Sequence, residues 1–156
     1  MTRGKVIKFA LSIIICFIIG LSGSYFTSSS VNSWYRTLNK PSFTPPDWIF
    51  APVWTLIYLL MGISLFFVWI SSNPLKYLAF IAFSAQLLLN FLWSVIFFGF
   101  ENLHFALAEI IALWGSILIT IFLFRRISNM AAYLLIPYIL WVSFAAFLNY
   151  SIVRMN

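Results

Sequence analysis

The sequence predicts an all-α integral membrane protein: a bundle of five transmembrane helices with a long structured first loop. Two observations carry that expectation. Of the 156 residues, 63% are hydrophobic and 8% charged, against about 25% charged in an ordinary soluble domain. The charges are also segregated. Phe9 to Tyr35, Trp48 to Leu75, Tyr77 to Phe100 and Ile127 to Val153 contain no Asp, Glu, Lys or Arg, and Asn102 to Phe124 contains only Glu109. A helix rising about 1.5 Å per residue crosses a hydrocarbon core of about 30 Å in roughly 20 residues. Five crossings therefore occupy most of the chain, and residues 1–156 form one membrane domain. A large soluble domain, a nucleotide-binding domain and a nucleic-acid reader are all excluded by the few residues left over.

The helices are expected at 6–26, 47–70, 74–98, 102–124 and 129–152. In the first, Arg3, Lys5 and Lys8 precede an apolar run, a pattern shared with secretory signal peptides. The run is long enough to span, and Ser12, Cys16, Gly20 and Ser24 repeat every four residues, the spacing that lets membrane helices approach closely. A retained helix is the expectation. The connection from Thr27 to Pro46 is rich in Ser, aromatic residues and Pro and is expected to pack as a lid. Asn73 before Pro74 reads as a cap with proline at the first helical position, and Asn102 and Asn129 can cap the next two helices. Pro52 and Pro137 each remove a backbone hydrogen bond and are expected to kink spans two and five.

With the termini on opposite sides, one side receives Arg3, Lys5, Lys8, Lys76, Arg125 and Arg126 and the other Arg36, Lys40 and Arg154. The basic excess, +6 overall, reads as membrane orientation, with the N-terminus inside and the C-terminus outside. The single cysteine, Cys16, and the single histidine, His104, supply neither a disulfide nor a metal cluster, and no metal site is expected.

Three helix faces stand out from ordinary bilayer packing. Trp54, Tyr58, Met61 and Leu65 follow helical spacing in span two; Gln86, Asn90, Trp93 and Phe97 do so in span three; Tyr138, Trp141, Ala145 and Leu148 do so in span five. Two amides at membrane depth are expected to point inward, because lipid offers them no partner. The three faces outline a flat aromatic pocket suited to a large planar ligand with few polar groups, and interhelical packing is the competing reading of the same residues. Glu109 is expected to hydrogen-bond a neighbouring helix or lie near headgroups, with a proton-coupled role as the alternative. Ala108, Ala112, Ser116 and Thr120 form a candidate packing or dimer stripe.

The stretch WYRTLNKPSFTPPDWIFAPVWTLIYLLMG from Trp34 to Gly62, with QLLLNFLWSVIFFG from Gln86 to Gly99 and PYILWVSFAAFLNYSIVRMN from Pro137 to Asn156, resembles the tryptophan-rich sensory protein or translocator protein (TspO) family. This family was formerly called the peripheral benzodiazepine receptors. The resemblance covers essentially the full chain and is to the bacterial type, which places the protein in a cytoplasmic membrane. Phe43 departs from the tryptophan many members carry there, and Glu109 looks like the acidic position often found in the fourth helix.

The resemblance implies a homodimer that binds porphyrins such as protoporphyrin IX and haem, benzodiazepine-type and isoquinoline carboxamide drugs and, in animal members, cholesterol. No obligatory cofactor is implied. The pocket carried over contains Tyr35, Trp54, Asn90, Trp93, Trp141 and Ala145. Some members are implied to degrade bound protoporphyrin in light and oxygen; the pocket tryptophans that would take part are Trp54 and Trp141. A transporter of porphyrin or lipid and a ligand-modulated sensory or scaffold protein are the alternatives. Five helices with no evident inverted repeat make alternating access less natural.

Overall fold

The computed structural model describes residues 2–156, and among them all regular structure is helical. Helix α1, Arg3–Ser30, is followed by a short α2, Trp34–Thr37, within the first loop. Helix α3 is Asp47–Trp69, and α4, Lys76–Ser94, continues as a π-helical turn over Val95–Gly99. Helix α5 is Leu103–Arg125, α6 is Asn129–Tyr133 and α7 is Ile136–Met155. Five segments, with α6 and α7 together making the fifth, are long and apolar enough to cross a membrane. Large apolar side chains such as Ile18, Leu21, Ile81, Ile119 and Leu140 cover the outside of the bundle. That is the surface of a protein whose solvent is lipid, and the chain is an integral membrane protein.

The first helix runs four residues beyond its expected end. The serines that read as loop fold their hydroxyls back on the preceding turn, Ser28 onto Tyr25 O at 2.9 Å and Ser29 onto Phe26 O at 2.8 Å, as Ser24 within the expected helix does onto Leu21 O at 2.8 Å. Such back-bonding satisfies the hydroxyls without leaving the helix. The lid therefore begins at Val31 rather than Thr27.

Helix α1 packs against α3 through its small residues. Ser12 and Cys16 are fully buried, but Gly23 rather than Ser24 continues the buried stripe, because 3.6 residues per turn drift away from a strict spacing of four. A Cβ on Gly62 would lie 2.7 Å from the Ile13 Cα, and one on Gly20 would overlap the Tyr58 ring. These two glycines bring α1 close and leave Tyr58 its place in the bundle centre.

Helix α3 continues unbroken through Pro52, which sits near the N-terminal end where few hydrogen bonds depend on it. Asn73 accepts the Leu75 N–H at 2.9 Å, making a turn, and α4 starts at Lys76. The π turn closes with the Phe100 N–H on Val95 O at 2.9 Å. It carries the helix one residue past the expected end.

Asn102 caps α5 as expected, accepting the Phe105 N–H at 3.0 Å. Asn129 does not cap the next helix. Ser128 does, accepting the Ala131 N–H at 3.3 Å, and Asn129 is the first helical residue. The expected continuous helix over 129–152 is instead two helices. Pro137 lies in the first turn of α7, where a missing N–H costs nothing, so the chain breaks at Leu134–Leu135 instead of kinking. Of the stripe expected on α5, Thr120 is buried while Ala108 and Ala112 face outward.

Candidate functional site

Helices α3, α4 and α7 bring a buried polar centre together. The Tyr58 hydroxyl donates to Asn90 Oδ1, Asn90 Nδ2 donates to the Tyr138 hydroxyl at 3.1 Å, and that hydroxyl donates to Gln86 Oε1 at 2.9 Å. All four residues are buried. The chain of bonds follows from the placement of amides at membrane depth: with no water or lipid partner available, they pair with the two phenols.

Aromatic rings surround this centre. Trp54 stacks on Tyr58, centroids 5.6 Å apart, and meets Tyr138 edge-on at 6.4 Å. Trp141 lies between Phe50 at 5.8 Å and Phe144 at 5.5 Å. Trp54, Trp93, Trp141 and Ala145 are half-buried and pack against the core that contains Tyr58 and Tyr138. Gln86 Nε2, Trp93 Nε1 and Trp141 Nε1 are buried without any hydrogen-bond partner. Three donors are thus left unused beside a set of flat aromatic surfaces.

Tyr35 and Leu148 sit apart from that centre, in a second cluster with Phe97, Ala106 and Ile152. Leu148 shares a helix face with Tyr138 and Trp141 yet packs in this other cluster, a full turn and more toward the lid. Trp93 bridges the two clusters, stacking on Phe97 at 5.0 Å. The residues marked out by the sequence therefore form two abutting groups instead of one slot.

The lid is anchored from within. Lys40, counted from the sequence among the basic residues of the lid side, donates to Tyr35 O at 2.7 Å and lies 4.3 Å from that ring's centroid. Burial, with a smaller contribution from Asp47, pushes the Tyr35 phenol up to about 12, so it stays protonated. At the C-terminus, Asn156 and the Met155 carbonyl bond Asn39 of the lid at 3.0–3.2 Å.

Phe50 was not among the residues the sequence singled out. The signal was present, since Phe50, Trp54 and Tyr58 recur every four residues on one face. Asn149 is also buried, with both side-chain heteroatoms unpartnered.

Residues 12–155 match the TspO/MBR family. The chain belongs to that family. It is 40% identical to tryptophan-rich protein TspO of Chlorobaculum tepidum over 156 residues, covering 97% of this chain and 98% of that one. It is 43% identical to tryptophan-rich protein TspO of Archaeoglobus fulgidus over 154 residues, covering 97% and 99%. It is 35% identical to the translocator protein of Homo sapiens over 144 residues, covering 90% and 83%. Family membership fits the five apolar spans, and the polar and aromatic centre described above is this family member's candidate site.

Proposed function

We propose that this chain is a membrane receptor or scavenger for porphyrins such as protoporphyrin IX and haem, held in the aromatic site between helices beneath the first loop. Benzodiazepine-type and isoquinoline carboxamide drugs are proposed to use the same site, and the protein to act as a homodimer in a bacterial cytoplasmic membrane. The reading rests on one observation above others: Gln86, Trp93 and Trp141 hold unpartnered buried donors beside half-buried indole faces. A planar macrocycle with peripheral acceptors would complement both features. The rings stack on it and the free N–H groups have something to bind.

A second reading is supported by Trp54 on α3 and Trp141 on the neighbouring α7, both half-buried at the site. The porphyrin, when bound, supplies photochemistry with dioxygen as co-reactant. The chain would orient and confine it, with these two indoles in position to exchange an electron with the excited ring.

The test is a titration of the detergent-solubilised protein with protoporphyrin IX in the dark and then under light, beside a Trp54→Phe, Trp141→Phe double variant. Tryptophan quenching and the porphyrin absorption band are followed. Saturable dark binding by both proteins is expected, with a light-dependent product that the variant fails to form. Lack of saturable binding overturns the receptor reading, and equal product from both proteins overturns the role of the two indoles. Porphyrin uptake into sealed proteoliposomes would instead favour a transporter.

A further inference from the structure

A groove of about 530 Å³ runs down the outside of the bundle between α4 and α5, its walls including Leu78, Ile81 and Ala82 of α4 and Leu118, Ile119 and Phe122 of α5. Every side chain lining it is apolar, which suits an acyl chain, and the mouth of the groove says which lipid. Arg126 follows Phe122 by one helical turn, and its guanidinium lies over that ring, 4.9 Å from the centroid. Across the groove α4 begins at Lys76, just before Leu78; its Nζ donates to Ser71 O at 3.0 Å and has two donors left over. The Asn73 amide on Arg126 O at 3.2 Å ties the two sides of the mouth together, and Arg125 is exposed beside them. No acid of the chain compensates these cations. Of the three acids, Asp47 opens α3 at the lid end and Glu101 lies there too, 3.5 Å from Ser30 Oγ. Glu109 is roughly 24 Å from Arg125 along α5 at about 1.5 Å per residue, buried, and without the hydrogen bond to a neighbouring helix expected of it. Arg125 and Arg126 therefore hold fixed, unpaired charge, because a guanidinium does not deprotonate in a protein.

Helix α5 has 23 residues and is about 35 Å long. Spanning a hydrocarbon core of about 30 Å, it brings Arg125 and Arg126 out at headgroup depth. We propose that this face binds an anionic phospholipid, one acyl chain lying in the groove between α4 and α5 and the phosphate held by Arg126 and Arg125 with Lys76 opposite. Charge complementarity fixes the occupant. A guanidinium grips phosphate through paired N–H groups, and Arg126 is already oriented by its ring. A zwitterionic lipid fills the same walls but sets an ammonium group among three cations. A second copy of the chain, related by a twofold axis along the membrane normal, would press two such arginine clusters together. A groove at the other end of the same helix pair, along Ile96, Phe100 and Phe105, has no basic residue in its lining and is the contrast. Porphyrin binding plays no part in this site.

The test is native mass spectrometry of the full chain in detergent, titrated with phosphatidylglycerol or with phosphatidylcholine of the same acyl chains. Phosphatidylglycerol is expected to bind saturably and about ten-fold or more tighter, since each cation near a headgroup contributes about five-fold. Arg126→Gln is expected to weaken phosphatidylglycerol about five-fold, and an Arg125→Gln, Arg126→Gln variant about ten-fold or more, with phosphatidylcholine unchanged. Ala82→Phe, which fills the groove, should weaken both lipids by taking away the chain's contacts. If that variant is not monodisperse, Phe122→Ala carries the same arm, with a loss of about two- to five-fold for phosphatidylglycerol. An Arg36→Gln, Arg154→Gln variant removes as much charge at the lid end and should bind phosphatidylglycerol as the unaltered protein does. Equal affinity for the two lipids, absence of saturable phosphatidylglycerol binding, equal losses from the two arginine pairs, or full binding by the groove variant would overturn the proposal. So would competition by excess glycerol 3-phosphate, which would assign the arginines to a soluble anion, or a disulfide-linked dimer formed by Ile81→Cys, which would assign the groove to a second copy of the chain.

Discussion

Tyr138 joins the two amides of the bundle centre: its hydroxyl accepts from Asn90 and donates to Gln86. Removing it deprives Gln86 of its one partner, because the Nε2 of that residue is already unpaired. Removing the Tyr58 hydroxyl breaks one bond and leaves Asn90 still held by Tyr138. Side-chain hydrogen bonds between membrane helices are each worth about 0.6 kcal/mol on average and up to about 1.7 kcal/mol. Tyr138→Phe should therefore cost about 1–2 kcal/mol and Tyr58→Phe about half that. Thermal midpoints in one detergent check the order, and an equal or reversed order would show that the network is not centred on Tyr138. Gln86 and Asn90 were legible in the sequence because an amide in an apolar run has so few places to go. The bonding around Tyr138 was not, since the direction of a phenol depends on how three helices are rotated against one another. The contacts of Lys40 were hidden for a related reason: a cation in a lid looks free until the fold turns it onto the carbonyl and ring of Tyr35.

At the scale of elements, four charge-free runs and one broken only by Glu109 located all five spans, and errors gathered at their ends. Hydropathy does not register a serine hydroxyl that bonds to the turn before it, so α1 was expected to stop short of Ser30. It is equally blind to the Leu134–Leu135 break between α6 and α7, because both sides of that break are apolar. Adjacent Ser128 and Asn129 are both good capping residues, and only the backbone decides which lies outside the helix. Ser128 does, and the helix it caps is held to α3 by the Ser64 hydroxyl on Ala131 O at 2.6 Å. Ser128→Ala should lower stability by about 1 kcal/mol and speed hydrogen exchange across α6. Asn129→Ala should be neutral or slightly stabilising, since alanine is the better residue inside a helix. Comparable losses in both variants would mean that the cap is shared.

Across the whole molecule, contacts at the two ends sort the basic residues. The bonds between Asn39 and the C-terminal residues Met155 and Asn156 place Arg36, Lys40 and Arg154 at one end. The Asn73 amide on Arg126 O at 3.2 Å joins the two turns at the other end, gathering Lys76, Arg125 and Arg126 beside the start of α1 with Arg3, Lys5 and Lys8. Six basic residues against three is a positive-inside asymmetry, and it predicts an inside N-terminus with the lid outside. Cysteine labelling tests this without altering the charge count, because Thr2 and Thr37 are exposed at opposite ends and the native Cys16 is fully buried. On intact cells a membrane-impermeant maleimide should label Thr37→Cys and spare Thr2→Cys, which should react only after permeabilisation. The reverse pattern would put the lid, and the aromatic site beneath it, on the inner side. A porphyrin would then have to be captured from inside the cell, and the scavenger reading would have to be recast around an internal source.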